Sequence, residues 1–322
     1  MLKKKNYIIY SLLVSSLFIS YFLKENSSGG SKMDFNFMYP FIEQFSLNLK
    51  EGFLFFLNND GSKIHSPFFY IIISLMLRFF GEIYYLNYIY LLISSILPFI
   101  FYKILSTKFQ ADKNYLFLIS LIIFFSPYFR SSAVWLLGEN LSLIFFSLFI
   151  FFYIKLKTTR KFSDYLLSAF FIILCSYVRY YYCLFFIILL LDSFKNLSFK
   201  NFTYFLFFSF LFSFFALTYF ITIFFNFNFT KTLSVFGGIN YINNLCTIYL
   251  IILFYLIPIL IFKIKKIIRY YTDNRLILYY IISICFSIFL FDHFYYNELI
   301  FFNEIGGGVI KKLIGLLDKE ND

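Results

Sequence analysis

The amino-acid sequence predicts an all-α polytopic membrane protein, with about nine transmembrane helices and with interfacial helices in its first extracytoplasmic loop. Hydrophobic residues make up 61% of the chain and charged residues only 14%, whereas a soluble protein carries roughly 25% charged residues to keep its surface hydrated. The mean hydropathy of +0.78 indicates the same class. Because only 12 glycines and 5 prolines are available for linkers, we expect residues 1–322 to form a single membrane domain.

Ten apolar runs divide the chain, and the distribution of charge indicates which of them cross the membrane. The runs lie at 7–23, 67–80, 83–102, 115–129, 141–154, 165–178, 180–191, 202–225, 245–262 and 276–291. If the run at 67–80 lies in the outer interface and the other nine cross, most of the 28 basic residues face the cytoplasm, as the positive-inside rule requires. This topology predicts a multi-pass protein of the plasma (inner) membrane, with a retained first helix, a cytoplasmic N-terminus and an extracytoplasmic tail at 292–322.

The net charge of +11 does not indicate a nucleic-acid partner. Basic residues flank the apolar runs and orient them in the membrane, and they do not alternate with aromatic residues on a basic face. The four cysteines lie within or at the edges of apolar runs, without the spacing of a disulfide framework or a metal site. We therefore expect membrane lipids, and no nucleic acid, among the partners.

The first extracytoplasmic loop, residues 24–82, is predicted to contain two interfacial helices. One is amphipathic and is expected to start near Pro40, because apolar residues recur there at helical spacing. Those residues are Met38, Phe41, Ile42, Phe45 and Leu49. The second helix is expected to begin at Ser66-Pro67 and to end at Gly81, which makes it shorter than a membrane span.

Three residues of this loop are candidates for chemistry. Asp34, between the first helix and the amphipathic helix, could accept a proton from an acceptor hydroxyl or amine; the alternative is a solvated loop carboxylate or an N-cap. Lys63 and His65 precede the second interfacial helix, whose N-terminus favours a bound anion. The alternative for these two residues is a lysine that extends to the interface and an incidental histidine.

Two arginines lie near the predicted outer surface, Arg130 after one apolar run and Arg179 between two others. An arginine close to lipid is costly unless it pairs with a carboxylate, a phosphate or a lipid headgroup. Glu139 is a candidate partner for either arginine, so a functional anion site and a structural ion pair both stay open. No cofactor is required by the pattern, although Asp34 and Glu139 could together ligate a divalent metal ion.

Taken in order, four short motifs resemble the N-terminal part of the GT-C glycosyltransferases, in particular the protein O-mannosyltransferase and lipid A aminoarabinose transferase branch. The motifs are Asp34 in the first outer loop; Lys63-Ile64-His65-Ser66-Pro67-Phe68-Phe69-Tyr70 with Phe79-Phe80-Gly81-Glu82; Ser126-Pro127-Tyr128-Phe129-Arg130; and Ser176-Tyr177-Val178-Arg179-Tyr180-Tyr181. The chain departs from the family at Met33 and Phe35, where the family usually places a second acidic residue beside the first. Members also commonly have more spans and a soluble C-terminal domain.

The resemblance implies an inverting glycosyltransferase that moves a sugar from a polyprenyl-phosphate carrier to a lipid, glycan or protein acceptor at the outer face of the membrane. It implies that Asp34 is the general base or a carboxylate that orients the acceptor. It also implies that Lys63, His65, Arg130 and Arg179, with Glu139 as a pairing carboxylate, form the substrate-binding set. Two other classes stay open. A polytopic transporter or flippase is the non-enzymatic alternative, and a polysaccharide polymerase of cell-envelope glycans is the enzymatic one.

Overall fold

The computed structural model of the chain describes residues 3–28, 30–59 and 66–226, with side chains as far as residue 215. Every regular element in these ranges is helical, as predicted. The α-helices in chain order are α1 (Lys4–Phe22), α2 (Ser31–Leu47), α3 (Leu49–Asn58), α4 (Phe68–Phe80), α5 (Ile83–Ser95), α6 (Leu97–Lys108), α7 (Lys113–Ser120), α8 (Pro127–Val134), α9 (Gly138–Thr159), α10 (Phe162–Val178), α11 (Leu184–Asn196) and α12 (Phe199–Asn226). Short 3₁₀ segments at Leu121–Phe125 and Tyr180–Cys183 follow α7 and α10.

Two helical stretches in the described residues are long and apolar enough to cross a membrane. The first, Ile83–Lys108, joins α5 and α6 over 26 residues, and the second is α9, with 22 residues. At 1.5 Å per residue these reach about 39 and about 33 Å, against a hydrocarbon thickness of about 30 Å. They correspond to the runs predicted at 83–102 and 141–154.

The run predicted as one crossing at 115–129 is broken. Its first part, Lys113–Phe125, meets α8 at a bend of 66°, so the pair is a third candidate span only if the two pieces are taken together. Pro127 has no N–H to donate and disfavours helical backbone in the residue before it. Ser126 is accordingly extended, and its hydroxyl accepts a hydrogen bond from the Phe129 N–H at 3.4 Å. Pro127 of the Ser-Pro motif therefore ends the helical stretch before it and begins α8.

The remaining predicted crossings stay predictions. The apolar helix Phe162–Val178 is shorter than a typical span, as is Phe68–Phe80, which was predicted to lie in the interface. Helix α12 has 28 residues, and side chains are described only for its part Phe199–Phe215. Helix α1 is not one of the described helices that are long and apolar enough to cross a membrane. The runs predicted at 245–262 and 276–291 and the tail at 292–322 lie outside the described residues.

The first loop folds into three helices, α2 to α4, and the prediction for the start of α2 is wrong. This helix begins at Ser31, nine residues before Pro40, which lies inside it. The residues before Pro40 are also helical, so α2 extends towards the N-terminus and Asp34 lies in its first turn. The predicted apolar face is confirmed for four residues, since Met38, Phe41, Ile42 and Phe45 are buried. The fifth, Leu49, belongs to the next helix and is exposed.

Helix α3 was not predicted and packs closely against α2. Asn48 separates the two helices, and its side-chain oxygen accepts a hydrogen bond from the Lys50 N–H at 2.8 Å, which caps the start of α3. A Cβ atom at Gly52 would lie 2.5 Å from Cδ1 of Phe45. This position therefore requires glycine for the close approach of the two helices.

Helix α4 begins at Phe68, one residue after the predicted first position Pro67, and ends at Gly81 as predicted. The hydroxyl of Ser66 accepts a hydrogen bond from the Phe68 N–H at 3.3 Å, and Gly81 ends the helix with φ +82°. Phe69, Tyr70 and other residues of α4 pack against the buried face of α2, together with Leu137 and Val178 from the ends of α9 and α10. One apolar core thus fixes the first turn of α2 relative to the start of α9 and the end of α10.

Candidate functional site

A cavity of about 650 Å³ lies beside the first turns of α2. It falls within the usual size range of small-molecule sites, about 300–1,000 Å³. Four elements supply its walls: the start of α2, the Ser126 turn with α8, the start of α9, and the segment that follows α10. The lining residues are Ser28, Gly30, Ser31, Asp34, Phe37, Met38, Ile123, Ser126, Tyr128, Phe129, Ser132, Leu137, Glu139, Asn140, Ser142, Leu143, Arg179, Tyr181 and Tyr182.

Asp34, Glu139 and Arg179 all line this cavity, so the structure brings together three of the six predicted site residues. They come from three elements that are far apart in the chain. Asp34 lies in the first turn of α2, Glu139 lies in the first turn of α9, and Arg179 follows the last residue of α10. The sequence interpretation of Asp34 as a loop residue is therefore corrected to a helical residue at the cavity wall.

The Asp34 carboxyl has an unusually high pKa for an aspartate. Desolvation by the surrounding protein and the negative charge of Glu139 raise its pKa from 3.8 to about 6, while the positive charge of Arg179 opposes the increase. The residue is exposed to the cavity, so the carboxyl is accessible although the cavity walls limit its hydration. A carboxylate with this pKa is suited to accept a proton near neutral pH.

Arg179 and Glu139 form an ion pair across the cavity wall. Nη2 of Arg179 donates to Oε1 of Glu139. The arginine side chain is 13% exposed and the glutamate side chain is 38% exposed, so the glutamate keeps contact with the cavity. The prediction that Glu139 pairs with one of the two arginines is confirmed for Arg179. Within the described residues, Asp34 is the lining carboxylate that has no basic side chain within 4 Å.

Arg130 lies elsewhere and has a different environment. It is not a lining residue of the cavity, and its guanidinium binds Glu25, with Nε at 3.2 and 3.1 Å from the two carboxylate oxygens. Nη1 donates to the Ser16 hydroxyl at 3.0 Å, and Nη2 donates to Ser20. The guanidinium therefore connects the start of α8 to α1. Glu25 was not predicted as its partner, because 105 residues separate the two and no local pattern connects them.

The other predicted site residues and ligands have the following outcome. Lys63 and His65 lie outside the described residues. Within the described ranges no three His, Cys, Asp or Glu side chains come together as a metal site. Cys175 is buried and Cys183 is exposed, both as free thiols, while Cys246 and Cys285 lie outside the described residues.

Sequence reasoning missed several polar and aromatic residues of the cavity. The amide of Asn140 is buried and donates to the Phe129 carbonyl at 3.0 Å and to the Ser94 hydroxyl at 3.2 Å. This amide connects the turn at α8 to α5 and α9, and so holds the cavity wall in place. Tyr128, Tyr181 and Tyr182 add ring surface to the wall. In a chain with 29 tyrosines, no local signal distinguishes these rings from lipid-facing ones.

Comparison of the chain with protein-family models, with curated proteins and with solved structures finds no significant match in any of the three. The chemistry of the cavity therefore rests on the geometry of its own residues. These residues combine a carboxylate of raised pKa, an ion pair and aromatic rings in a space large enough for a sugar-sized ligand.

Proposed function

We propose that the chain is a membrane glycosyltransferase that moves a sugar from a polyprenyl-phosphate carrier to an acceptor hydroxyl, with Asp34 as the general base. The single observation that carries the proposal is the carboxylate of Asp34, with a pKa of about 6, at the wall of a cavity beside a helix that the sequence predicts to be interfacial. At pH 7 a group with this pKa is ionised in a ratio of about ten to one. The polyprenyl carrier is suggested by the resemblance to GT-C enzymes.

In the proposed reaction, the acceptor oxygen attacks the anomeric carbon of the bound sugar. Asp34 takes the proton from the acceptor hydroxyl, and a new carbon–oxygen bond forms at the anomeric centre. The bond from that carbon to the phosphate oxygen breaks, and the polyprenyl phosphate leaves with the electron pair. Attack from the face opposite the leaving group inverts the anomeric configuration.

Among the described residues that line the cavity, Arg179 is the basic one, and it can meet the charge on the departing phosphate. Its guanidinium is oriented by Glu139, and a charge held in place before the reaction stabilises a developing anion without further reorganisation. Arg130 has no such role in the proposal, because its guanidinium is bound by Glu25, Ser16 and Ser20. The contributions of Lys63 and His65 remain predictions from the sequence.

A proton-coupled transporter is the second candidate function, and the same carboxylate supports it. A side chain that titrates near pH 6 beside an ion pair can exchange a proton for a substrate. The two functions differ in what they require. Transfer chemistry proceeds in detergent, whereas transport is defined only across a sealed membrane.

The test uses purified full-length protein in detergent, supplied with a polyprenyl-phosphate sugar, and mass spectrometry of the lipid fraction. We expect the wild-type protein to release free polyprenyl phosphate, and Asp34→Asn to retain intact sugar-lipid with at least a hundredfold slower release, since general base catalysis typically contributes about 10²–10⁴-fold. Asp112→Asn is the matched control. It makes the same carboxylate-to-amide change at the N-cap of α7, where asparagine also caps well.

Equal release by wild type and Asp34→Asn would refute the role of Asp34. Absence of release in detergent, together with pH-dependent substrate uptake into vesicles, would replace the transferase with the transporter.

A further inference from the structure

A second cavity, of about 400 Å³, lies on the other side of the first turns of α2. We call it the lysine pocket, and its polar and aromatic walls include Tyr21, Lys24, Lys32, Asn87 and Trp135. In the part of the chain that the structure describes, the lysine pocket and the cavity that contains Asp34 share no lining residue. Helical spacing explains the separation, because Lys32 and Phe35 share one side of α2 while Ser31, Asp34 and Met38 share another.

The charge of the lysine pocket is positive and uncompensated by its own walls. Among the described residues, Lys24 and Lys32 line it and no acidic side chain does. Glu25, next to Lys24 in sequence, is bound to Arg130 at 3.1 Å. Asp34, two residues after Lys32, lines the other cavity. Within the described residues, neither lysine has a carboxylate within 4 Å. Two lysines that line one pocket can donate hydrogen bonds to an anion with several oxygen atoms, such as a phosphate.

The indole of Trp135 forms a rigid wall of the pocket. Its Nε1–H donates to the Glu25 carbonyl at 2.8 Å, which fixes the ring orientation. Nζ of Lys32 lies 5.9 Å from the ring centroid, so the cation lies over an aromatic face. The amide of Asn87, which also lines the pocket, donates to the Tyr21 hydroxyl at 3.3 Å. These polar groups can meet hydroxyl groups of a ligand.

The aromatic residues around the opening indicate the depth of the pocket relative to a bilayer. The ring of Tyr21, at the end of α1, lies 5.4 Å from the ring of Tyr88 and 6.2 Å from the ring of Tyr84. Phe22, beside them, is 64% exposed. Clusters of tyrosines at the end of an apolar helix are typical of the headgroup level of a membrane. This pattern favours a position of the two lysines at the level of the lipid phosphates.

We propose that the lysine pocket binds the phosphate of a membrane lipid headgroup, with a glycerol-type headgroup as the class that its polar groups fit. Lys24 and Lys32 hold the phosphate oxygens, the Trp135 ring packs against the headgroup, and Asn87 and Tyr21 bind its hydroxyl groups. A lipid held here would fix the start of α2 at the membrane surface. The site does not depend on the proposed transfer reaction.

The chain contains one tryptophan, so the intrinsic tryptophan emission comes from Trp135 in the wall of this pocket. The experiment titrates full-length protein in detergent with a short-chain phosphatidylglycerol, a short-chain phosphatidylcholine and inorganic phosphate. We expect a saturable change in Trp135 emission with phosphatidylglycerol. The double variant Lys24→Gln and Lys32→Gln should bind this lipid about tenfold or more weakly, since each lysine near a phosphate contributes substantially to binding.

The matched control is the double variant Lys50→Gln and Lys113→Gln, which removes the same charge from exposed positions outside the pocket. It should titrate like wild type, and so should Asp34→Asn. Equal affinities in the lysine-pocket variant and the control variant would overturn the proposal. A response to inorganic phosphate as strong as that to phosphatidylglycerol would overturn the lipid assignment and leave a free-phosphate site.

Discussion

Two arginine–glutamate pairs of the molecule have the same chemistry in different surroundings. The pair of Arg130 and Glu25 joins α8 to the end of α1, with both side chains about one-fifth exposed. The pair of Arg179 and Glu139 lines the cavity that contains Asp34, and its glutamate is 38% exposed. In the sequence both arginines follow apolar runs and have the same candidate roles. In the structure the two guanidinium groups have different surroundings. That of Arg130 contacts residues of α1, and that of Arg179 lines the cavity.

The other contacts of an arginine decide whether its ion pair joins two helices or faces a ligand site. The guanidinium of Arg130 is held by hydrogen bonds to Ser16 and Ser20 of α1 in addition to its carboxylate. A charge that is bound in this way joins two helices and has little freedom to meet a ligand. The pair at the cavity contacts space that a ligand can enter, and it changes the pKa of a third group, Asp34.

The largest expected effect on stability is at Arg130. Replacing it by methionine removes the guanidinium while Glu25, Ser16 and Ser20 lose their donor. Removing one partner of a partly buried ion pair of this kind should lower the free energy of unfolding by about 2–4 kcal/mol. The measurement is the thermal midpoint of unfolding in detergent.

Lys50→Met is the control for Arg130→Met, because it removes a charge from an exposed position of α3. If Arg130→Met unfolded at the same temperature as this control and yet lost sugar transfer, the assignment of Arg130 as a structural residue would be wrong.

A smaller effect on stability and a larger one on activity are expected at Arg179. In Arg179→Met, the unpaired Glu139 can be hydrated from the cavity, so the thermal midpoint should fall by less than half of the decrease seen for Arg130→Met. The rate of carrier release should fall about tenfold or more, because a cation near the leaving phosphate is lost. A decrease in thermal midpoint as large as that of Arg130→Met, without a specific loss of transfer, would make both pairs structural.

These differences show how much the sequence could predict. The helical class, the apolar face of α2 and the ends of α4 follow from composition, helical spacing and the Ser66, Pro67 and Gly81 signals, and the structure confirms them. The start of α2 could not be predicted from Pro40. A proline usually marks the start of a helix, but this one is tolerated inside a helix whose other face is packed. Asp34 therefore lies in a helix, where the sequence suggested a loop.

The candidate site was predicted in part. Asp34, Glu139 and Arg179 stood out because charges are rare in this chain, and they line one cavity. The partner of Arg130 and the buried amide of Asn140 depend on contacts across 105 and 11 residues of chain, which only the packing of α1, α8 and α9 determines. The tyrosines of the cavity wall are hidden by the aromatic composition of the whole chain.

The pH dependence of transfer should distinguish Glu139 from Glu25. Transfer requires ionised Asp34, so its rate should rise with pH through about 6. In Glu139→Gln the repulsive charge is removed and the pKa of Asp34 falls, so the acidic limb of the rate profile should move to lower pH, by roughly half a unit to one unit. Glu25→Gln, which lies outside the cavity, should leave this limb in place. An unshifted limb in Glu139→Gln would show that the two carboxylates do not interact.

The smallest expected effect is the pH dependence of stability, and its sign differs between the two regions. Burial alone would raise the pKa of Glu25, but hydrogen bonds from Arg130, Ser20 and Ser27 and the charge of Arg130 lower it below its ordinary value of 4.5. The ionised form therefore stabilises the folded state above that pH, and the stabilisation is lost as the pH falls below it. Asp34 has a raised pKa, so its ionisation between pH 3.8 and about 6 disfavours the folded state.

Thermal midpoints measured from pH 3.5 to 8 should therefore show opposite trends for two amide variants. Glu25→Gln should be less stable than wild type at neutral pH, and the difference should shrink as the pH falls below about 4.5. Asp34→Asn should be slightly more stable than wild type at neutral pH, and this gain should disappear as the pH falls through 6 towards 4. A gain of this sign is typical of a residue kept for function, because a carboxylate that served the fold would lower stability when removed. The same sign of change in both variants would assign Asp34 to the structural framework together with Glu25.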